Sequence, residues 1–349
     1  RMLDFEEEDI RVFQEAVSQY PDLANAHAAL SEVATSLGDY ELALAESEDA
    51  VRLDPERHHY WMRLGQELQR AGRREDAIKA MKVALEKAPG NSNYHAALAS
   101  ALLTGPDGLE KARTASLEAI RLDAKNTWAW TLLASVERRA GDSEAAVRAA
   151  ERSVALEPAS AWAHLALAES LQAMGRTSEA LPILERAASL DMLDRDPGAR
   201  SVLARNLLAC GRPERAREEA LAATDQAPRS AESWTVLAQV ESTLERWEPA
   251  VHAWREAAAL DPDNSSLFVQ LGRALVKSGR GDEALDALRA ARTLAEGDAS
   301  RLREVAVVLD ELDQGDEASD TWRIVRRLAP VGELKEEARR RLGSTPRPE

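Results

Sequence analysis

The sequence predicts an all-α protein built as a linear array of helix–turn–helix repeats, and three observations predict it. First, 44% of the 349 residues are hydrophobic, chiefly alanine and leucine, while aromatics make up only 4%. That mix is too apolar for a disordered chain and too rich in strong helix formers for a β protein. Second, a Leu-Asp-Pro or Ala-Pro punctuation recurs at Pro55, Pro89, Pro158, Pro228, Pro262 and Pro330, with Ala124, Met192 and Glu296 at the equivalent places between them. Successive marks in this series differ by 34, 35, 34, 34, 36, 34, 34 and 34 positions. Third, the same side-chain chemistry returns at fixed places inside each step.

The first helix of each repeat is read from one column of leucines, Leu30, Leu64, Leu98, Leu133, Leu167, Leu203, Leu237 and Leu271, with Val305 in the last repeat. The next residue is always small: Ser31, Gly65, Ala99, Ala134, Ala168, Ala204, Ala238, Gly272 or Ala306. The turn follows at Gly38, Gly72, Gly141, Gly175, Gly211 and Gly279, where a helix must stop. The second helix carries alanine in all nine repeats, at Ala43, Ala77, Ala112, Ala146, Ala180, Ala216, Ala250, Ala284 and Ala318. Small residues in both helices let the pair approach closely, while the leucine fills the space toward the neighbouring pair. Proline then ends the second helix.

Read in chain order, residues 1–23 fit the second helix of a partial repeat, with Phe13, Ala16 and Pro21 in the matching columns. Nine repeats occupy 24–332. Repeat three carries one extra residue around Thr104 to Gly108, and repeat five two more between Asp191 and Pro197, where a slightly altered angle between repeats is expected. Residues 333–342 form a polar capping helix over the last apolar face. The tail 343–349, with two prolines, is expected to be disordered.

The pattern resembles the tetratricopeptide repeat, W-x₂-L-G-x₂-Y…A-x₃-F…P, whose period is about 34 residues. Repeat two shows it in Trp61, Leu64, Gly65, Ala77, Met81, Ala84 and Pro89, and repeat seven in Trp234, Leu237, Ala238, Ala250, Trp254, Ala257 and Pro262. The resemblance implies a right-handed superhelical solenoid. It also implies a concave groove lined by the second, fifth, ninth and twelfth residues of each repeat.

The tryptophans test that groove. Trp61, Trp130 and Trp234 stand at the fourth position, the family's structural Trp, and His27, His95 and His164 replace it elsewhere as packing residues. Trp254 and Trp322 fill the aromatic column of the second helix, and Trp247 its Tyr-like site. Trp128 and Trp162 remain, both at the groove-facing second position of adjacent repeats, as candidate apolar anchors for a partner. Around them the groove set is Arg63, Gln66, Arg138, Arg205, Gln239, Arg273 and Arg303, with Glu32 and Glu169 as acidic exceptions. Such arginines either read a partner's carboxylates through their planar fork or pair with glutamates on neighbouring helices. No repeat combines Lys at the fifth position with Asn at the ninth, so a clamp for a chaperone's C-terminal carboxylate is not expected.

Chemistry of other kinds finds little footing. The single cysteine, Cys210, has no histidine in its repeat to activate it. His58 and His59 lack an acidic ligand at helical spacing, so no metal site is read there, and no phosphate-cradling loop is present. Neither a catalytic group nor a cofactor is expected. With 45 basic and 61 acidic residues the net charge is −16, which argues against a nucleic-acid surface. No apolar run is long enough to span a bilayer.

The predominance of arginine over the seven lysines suits a bacterial source. The function expected is a non-catalytic scaffold holding a peptide or partner protein in the groove, in the cytoplasm or at the cell envelope. The alternative is a recognition arm of a larger enzyme whose catalytic domain lies upstream, since the chain opens midway through a repeat.

Overall fold

The computed structural model describes residues 7–103, 105, 108–190, 193, 196–330 and 332–344. Thr104, Pro106 and Asp107 of the repeat-three insertion lie outside them. So do Asp191, Met192, Asp194 and Arg195 of the repeat-five insertion, and residues 345–349 of the tail. Among the described residues there are twenty α-helices and no strand. They divide into two compact units, residues 1–190 and 191–349.

In the first unit α1 (Glu7–Gln19) precedes five hairpins. These are α2–α3 (Ala24–Ser36, Tyr40–Leu53), α4–α5 (His58–Arg70, Arg74–Lys87), α6–α7 (Ser92–Leu103, Leu109–Leu122), α8–α9 (Thr127–Ala140, Ser143–Leu156) and α10–α11 (Ala161–Ala173, Thr177–Ala188). The second unit holds α12–α13 (Pro197–Ala209, Pro213–Gln226), α14–α15 (Ala231–Thr243, Trp247–Leu260), α16–α17 (Ser265–Lys277, Gly281–Leu294) and α18–α19 (Ala299–Glu311, Gly315–Leu328). It ends in α20 (Glu333–Ser344), whose last turn takes in Gly343 and Ser344.

Six hairpins turn where the sequence places a glycine, at Gly38, Gly72, Gly141, Gly175, Gly211 and Gly279. Gly141 stands at φ 85° after α8, and the amides of Gly141 and Asp142 donate to the carbonyls of Arg138 and Glu137. These bonds satisfy carbonyls that the helix end leaves unpaired. Asp142 then caps α9 by accepting from the Ala145 amide at 2.9 Å. In repeats seven and nine the same left-handed residue is Glu245 or Asp313, both at φ 57°. Each carries a cost of about 1 kcal/mol that glycine would avoid.

The two small columns meet face to face. A Cβ on Gly65 would stand 2.6 Å from Met81 Cγ, and one on Gly272 2.9 Å from Leu288 Cδ2. In repeat one the same contact is a hydrogen bond between the buried hydroxyls of Ser31 and Ser47 at 2.7 Å. Close approach buries the alanine column from Ala43 to Ala318 almost completely. At the end of the second unit, Leu288, Leu302, Leu309 and Trp322 form a core that α20 closes with Ala338, Leu334 and Leu342.

Candidate partner-binding face

In five repeats the residue at the fourth position of the first helix bonds the connection that precedes it. Trp61 Nε1 donates to the carbonyl of Pro55 at 2.8 Å, Trp130 to Ala124 at 3.0 Å, and Trp234 to Pro228 at 2.8 Å. His95 Nε2 reaches the Pro89 carbonyl at 2.9 Å, and His27 Nε2 the Pro21 carbonyl at 2.9 Å. A carbonyl only accepts, so each imidazole donates from Nε2 there, while His27 also meets the Glu46 carboxylate through Nδ1 at 2.6 Å. Histidine thus replaces tryptophan by its N–H as well as by its bulk, ending the preceding connection on the same bond six residues back. His164 differs: its Nδ1 contacts the Ser160 carbonyl at 2.8 Å.

The other tryptophans separate as their columns require. Trp254 and Trp322 are buried, and their indole N–H groups donate back to the first helix, to Ser242 Oγ at 3.2 Å and Asp310 Oδ2 at 2.9 Å. Trp128 and Trp162 stand in the first turns of α8 and α10, in the first unit, and are 40% and 39% exposed. Leu132 of α8 and Leu165 and Ala166 of α10 are buried.

Within each unit, arginines of the groove set meet carboxylates of adjacent repeats. Arg63 stands 3.2 Å from Glu32, and Arg138 donates to Glu169 at 2.9 Å. In the second unit Arg205 donates to Glu232 at 3.1 Å, and Arg303 grips Glu337 of α20 through two bonds of 2.6 and 3.1 Å. That grip holds the Glu337 carboxyl below its usual pKa range. Arg273 is exposed and has no ion-pair partner among the described residues. Gln66 is half-buried and Gln239 exposed. Near the start of the array, His58 Nδ1 bonds the Tyr94 hydroxyl at 2.8 Å, while burial pushes the neighbouring His59 imidazole down in pKa.

Sequence reasoning missed one pair of contacts. At the eleventh position, where Leu68, Leu102, Leu171, Leu207, Leu275 and Leu309 stand in other repeats, repeats four and seven carry Glu137 and Glu241. Arg113 of α7 donates to Glu137 through Nε at 2.9 Å and Nη2 at 2.7 Å. Arg217 of α13 donates to Glu241 through Nε at 2.7 Å. Glu241 is 2% exposed, and its second oxygen finds no partner. Each bond ties the second helix of one repeat to the first helix of the next. The signal was present as an acid interrupting a leucine column, with an arginine 24 positions upstream in both cases. Among the described residues no cluster of three His, Cys, Asp or Glu side chains could hold a metal ion, and no helix is long and apolar enough to cross a membrane.

Closely packed helical hairpins, stacked in register within each unit, define a helical-repeat protein of the solenoid class. Models described as tetratricopeptide repeat match residues 34–101, 137–195, 173–240 and 235–299, and the chain belongs to that family. A sequence search of curated proteins finds no match. Among solved structures, the Cut9–Hcn1 hetero-tetramer of the APC/C is similar at TM-score 0.55 and 15% identity, over 96% of this chain and 81% of that one. The human IFIT1 dimer with PPP-AAAA is similar at TM-score 0.60 and 15% identity, over 97% and 86%. The same dimer with m7Gppp-AAAA gives 0.59 and 14%, over 96% and 85%. At these identities the likeness is one of fold.

Proposed function

We propose that this chain is a non-catalytic interaction scaffold that holds a peptide or partner helix against the first helices of residues 1–190, with Trp128 and Trp162 as its apolar anchors. The observation that carries this reading is the sorting of the tryptophans. The column positions account for six of the eight, whereas these two stand half-exposed at the same position of consecutive repeats. Two rigid aromatic faces cost little entropy to bury. About 40% of a tryptophan surface is roughly 100 Å², so covering each contributes up to about 2.5 kcal/mol.

The arginines take a smaller part. Arg63 and Arg138 are engaged by glutamates of this chain, as are Arg205 and Arg303 in the second unit; among the described groove arginines Arg273, also in the second unit, has no ion-pair partner. The IFIT1 structures hold m7Gppp-AAAA or PPP-AAAA. Here a net charge of −16 and paired arginines oppose so anionic a ligand on this face, and a protein partner is the reading adopted. Affinity capture from the native host, followed by titration of the captured partner, tests it. The Trp128→Ala, Trp162→Ala double variant should weaken binding at least about tenfold. Equal capture and equal affinity would remove the anchors from the account.

A further inference from the structure

Five of the seven lysines, Lys79, Lys82, Lys87, Lys111 and Lys125, lie between residues 79 and 125, in a chain that is otherwise acidic and arginine-based. Lys79 pairs with Asp76 at 3.1 Å and Lys87 with Glu56 at 2.9 Å. Lys82 and Lys111 have no ion-pair partner among the described residues, and both line one cleft of ≈ 590 Å³ between α5 and α7. Its floor is apolar: Ile78, Leu98, Leu102 and Ala115.

The floor belongs to the far side of α6. His95, Leu98 and Leu102 lie on one face of that helix, and Asn93 and Ser100, the groove positions of repeat three, lie on the opposite one. The cleft is therefore separate from the face that carries Trp128 and Trp162.

A third cation, Arg74, also lines the cleft. Arg74 donates from Nε to the Ala101 carbonyl and from Nη2 to the Leu102 carbonyl, both at 3.2 Å. Its guanidinium occupies the space that a Cβ on Gly105 would need, with the nearest atoms 2.0–2.4 Å away. Among the described residues Arg74 is thus fixed by neutral partners and pairs with no carboxylate. Among the described lining residues the one acid, Glu118, is gripped by Arg121 at 2.6 and 2.7 Å, which lowers its pKa.

The charges stand at the two ends of an apolar slot. Arg74 and Lys111 lie near the starts of α5 and α7, and Lys82 lies eight residues along α5, about 12 Å further on. We infer that this cleft is a second binding site, taking an extended acidic peptide segment in which a bulky apolar residue is flanked on both sides by carboxylates. Four extended residues span about 13 Å, so acids two residues before and two after a central leucine or phenylalanine reach both ends. The volume accepts one or two large side chains.

The test is fluorescence anisotropy with labelled nine-residue peptides carrying a central leucine flanked by aspartates at that spacing. Saturable binding that weakens as salt rises is expected, because two exposed lysines contribute to it. Lys82→Glu with Lys111→Glu should weaken it about tenfold or more. Lys125→Glu with Lys335→Glu, an equal charge change outside the cleft, should leave it in place. Both pairs are surface positions, and unchanged far-UV circular dichroism will show that the variants fold. No saturation at millimolar peptide overturns the inference, as does equal weakening by both pairs. Binding of a fatty carboxylate such as dodecanoate in place of any peptide overturns it too.

Discussion

Glu241 is the most exacting test of how this array is held together. Its carboxylate is 2% exposed, one oxygen takes the Arg217 Nε–H at 2.7 Å, and the other has no partner. Truncating Arg217 to alanine leaves a buried charge with neither oxygen bonded by that helix. Breaking a buried pair from one side costs about 3–5 kcal/mol. Arg217 is itself 31% exposed, so water enters the space it vacates and reduces the loss to about 2–3 kcal/mol. Replacing both partners, Arg217→Met with Glu241→Leu, should behave oppositely. The buried leucines at the eleventh position of six other repeats, Leu68, Leu102, Leu171, Leu207, Leu275 and Leu309, show that leucine fits this environment. The double variant should therefore match or exceed the parent's stability.

Urea unfolding followed by circular dichroism measures both effects. Hydrogen exchange across α13 and α14 localises them, because repeat arrays need not unfold in one step. An Arg217→Ala variant within about 0.5 kcal/mol of the parent would refute the reasoning, as would a double variant less stable than the single one.

Two further outcomes follow from contacts described above. Trp234→Phe removes the bond to the Pro228 carbonyl and should cost about 0.5–1 kcal/mol, whereas Trp234→His should recover much of it, as His95 makes that bond in repeat three. Thermal melts of the two variants decide this, and equal loss in both would show that only bulk matters. Arg303 lowers the pKa of Glu337, so their contribution is present above the ordinary carboxylate range and is lost as pH falls through the depressed value. Limited proteolysis should find α20 loosened first on acidification, by under about 1 kcal/mol because the pair is partly exposed. Arg303→Gln should loosen α20 at neutral pH and flatten its acid dependence.

Much of this architecture could be read from the sequence because each repeat meets its neighbours through the same columns. Glycines at the turn, alanines between the helices and the fourth-position Trp or His report local backbone geometry, which recurs with every hairpin. The exposure of Trp128 and Trp162 was visible in the same way, as aromatics left over once the columns were filled. Arginine pairing was less legible. That Arg138 would find Glu169, or Arg217 find Glu241, depends on which helices face one another across repeats, and no window within one repeat contains both residues. The cleft between α5 and α7 lay further out of reach. Its lysines were countable, but the cleft is lined from α5, α6 and α7 together, and Arg74 meets Gly105 only across two repeats.

The glutamates that engage Arg63 and Arg138 in the first unit, and Arg205 and Arg303 in the second, have a thermodynamic consequence for any guest on the first-helix lining of either unit. A visiting carboxylate does not meet a vacant guanidinium there; it must evict a resident one, so the exchange conserves the number of charge-assisted bonds and yields little net free energy. Discrimination among guests on that lining should consequently come from the fit of apolar surface, and substitutions that swap one acidic residue for another in the guest should be tolerated.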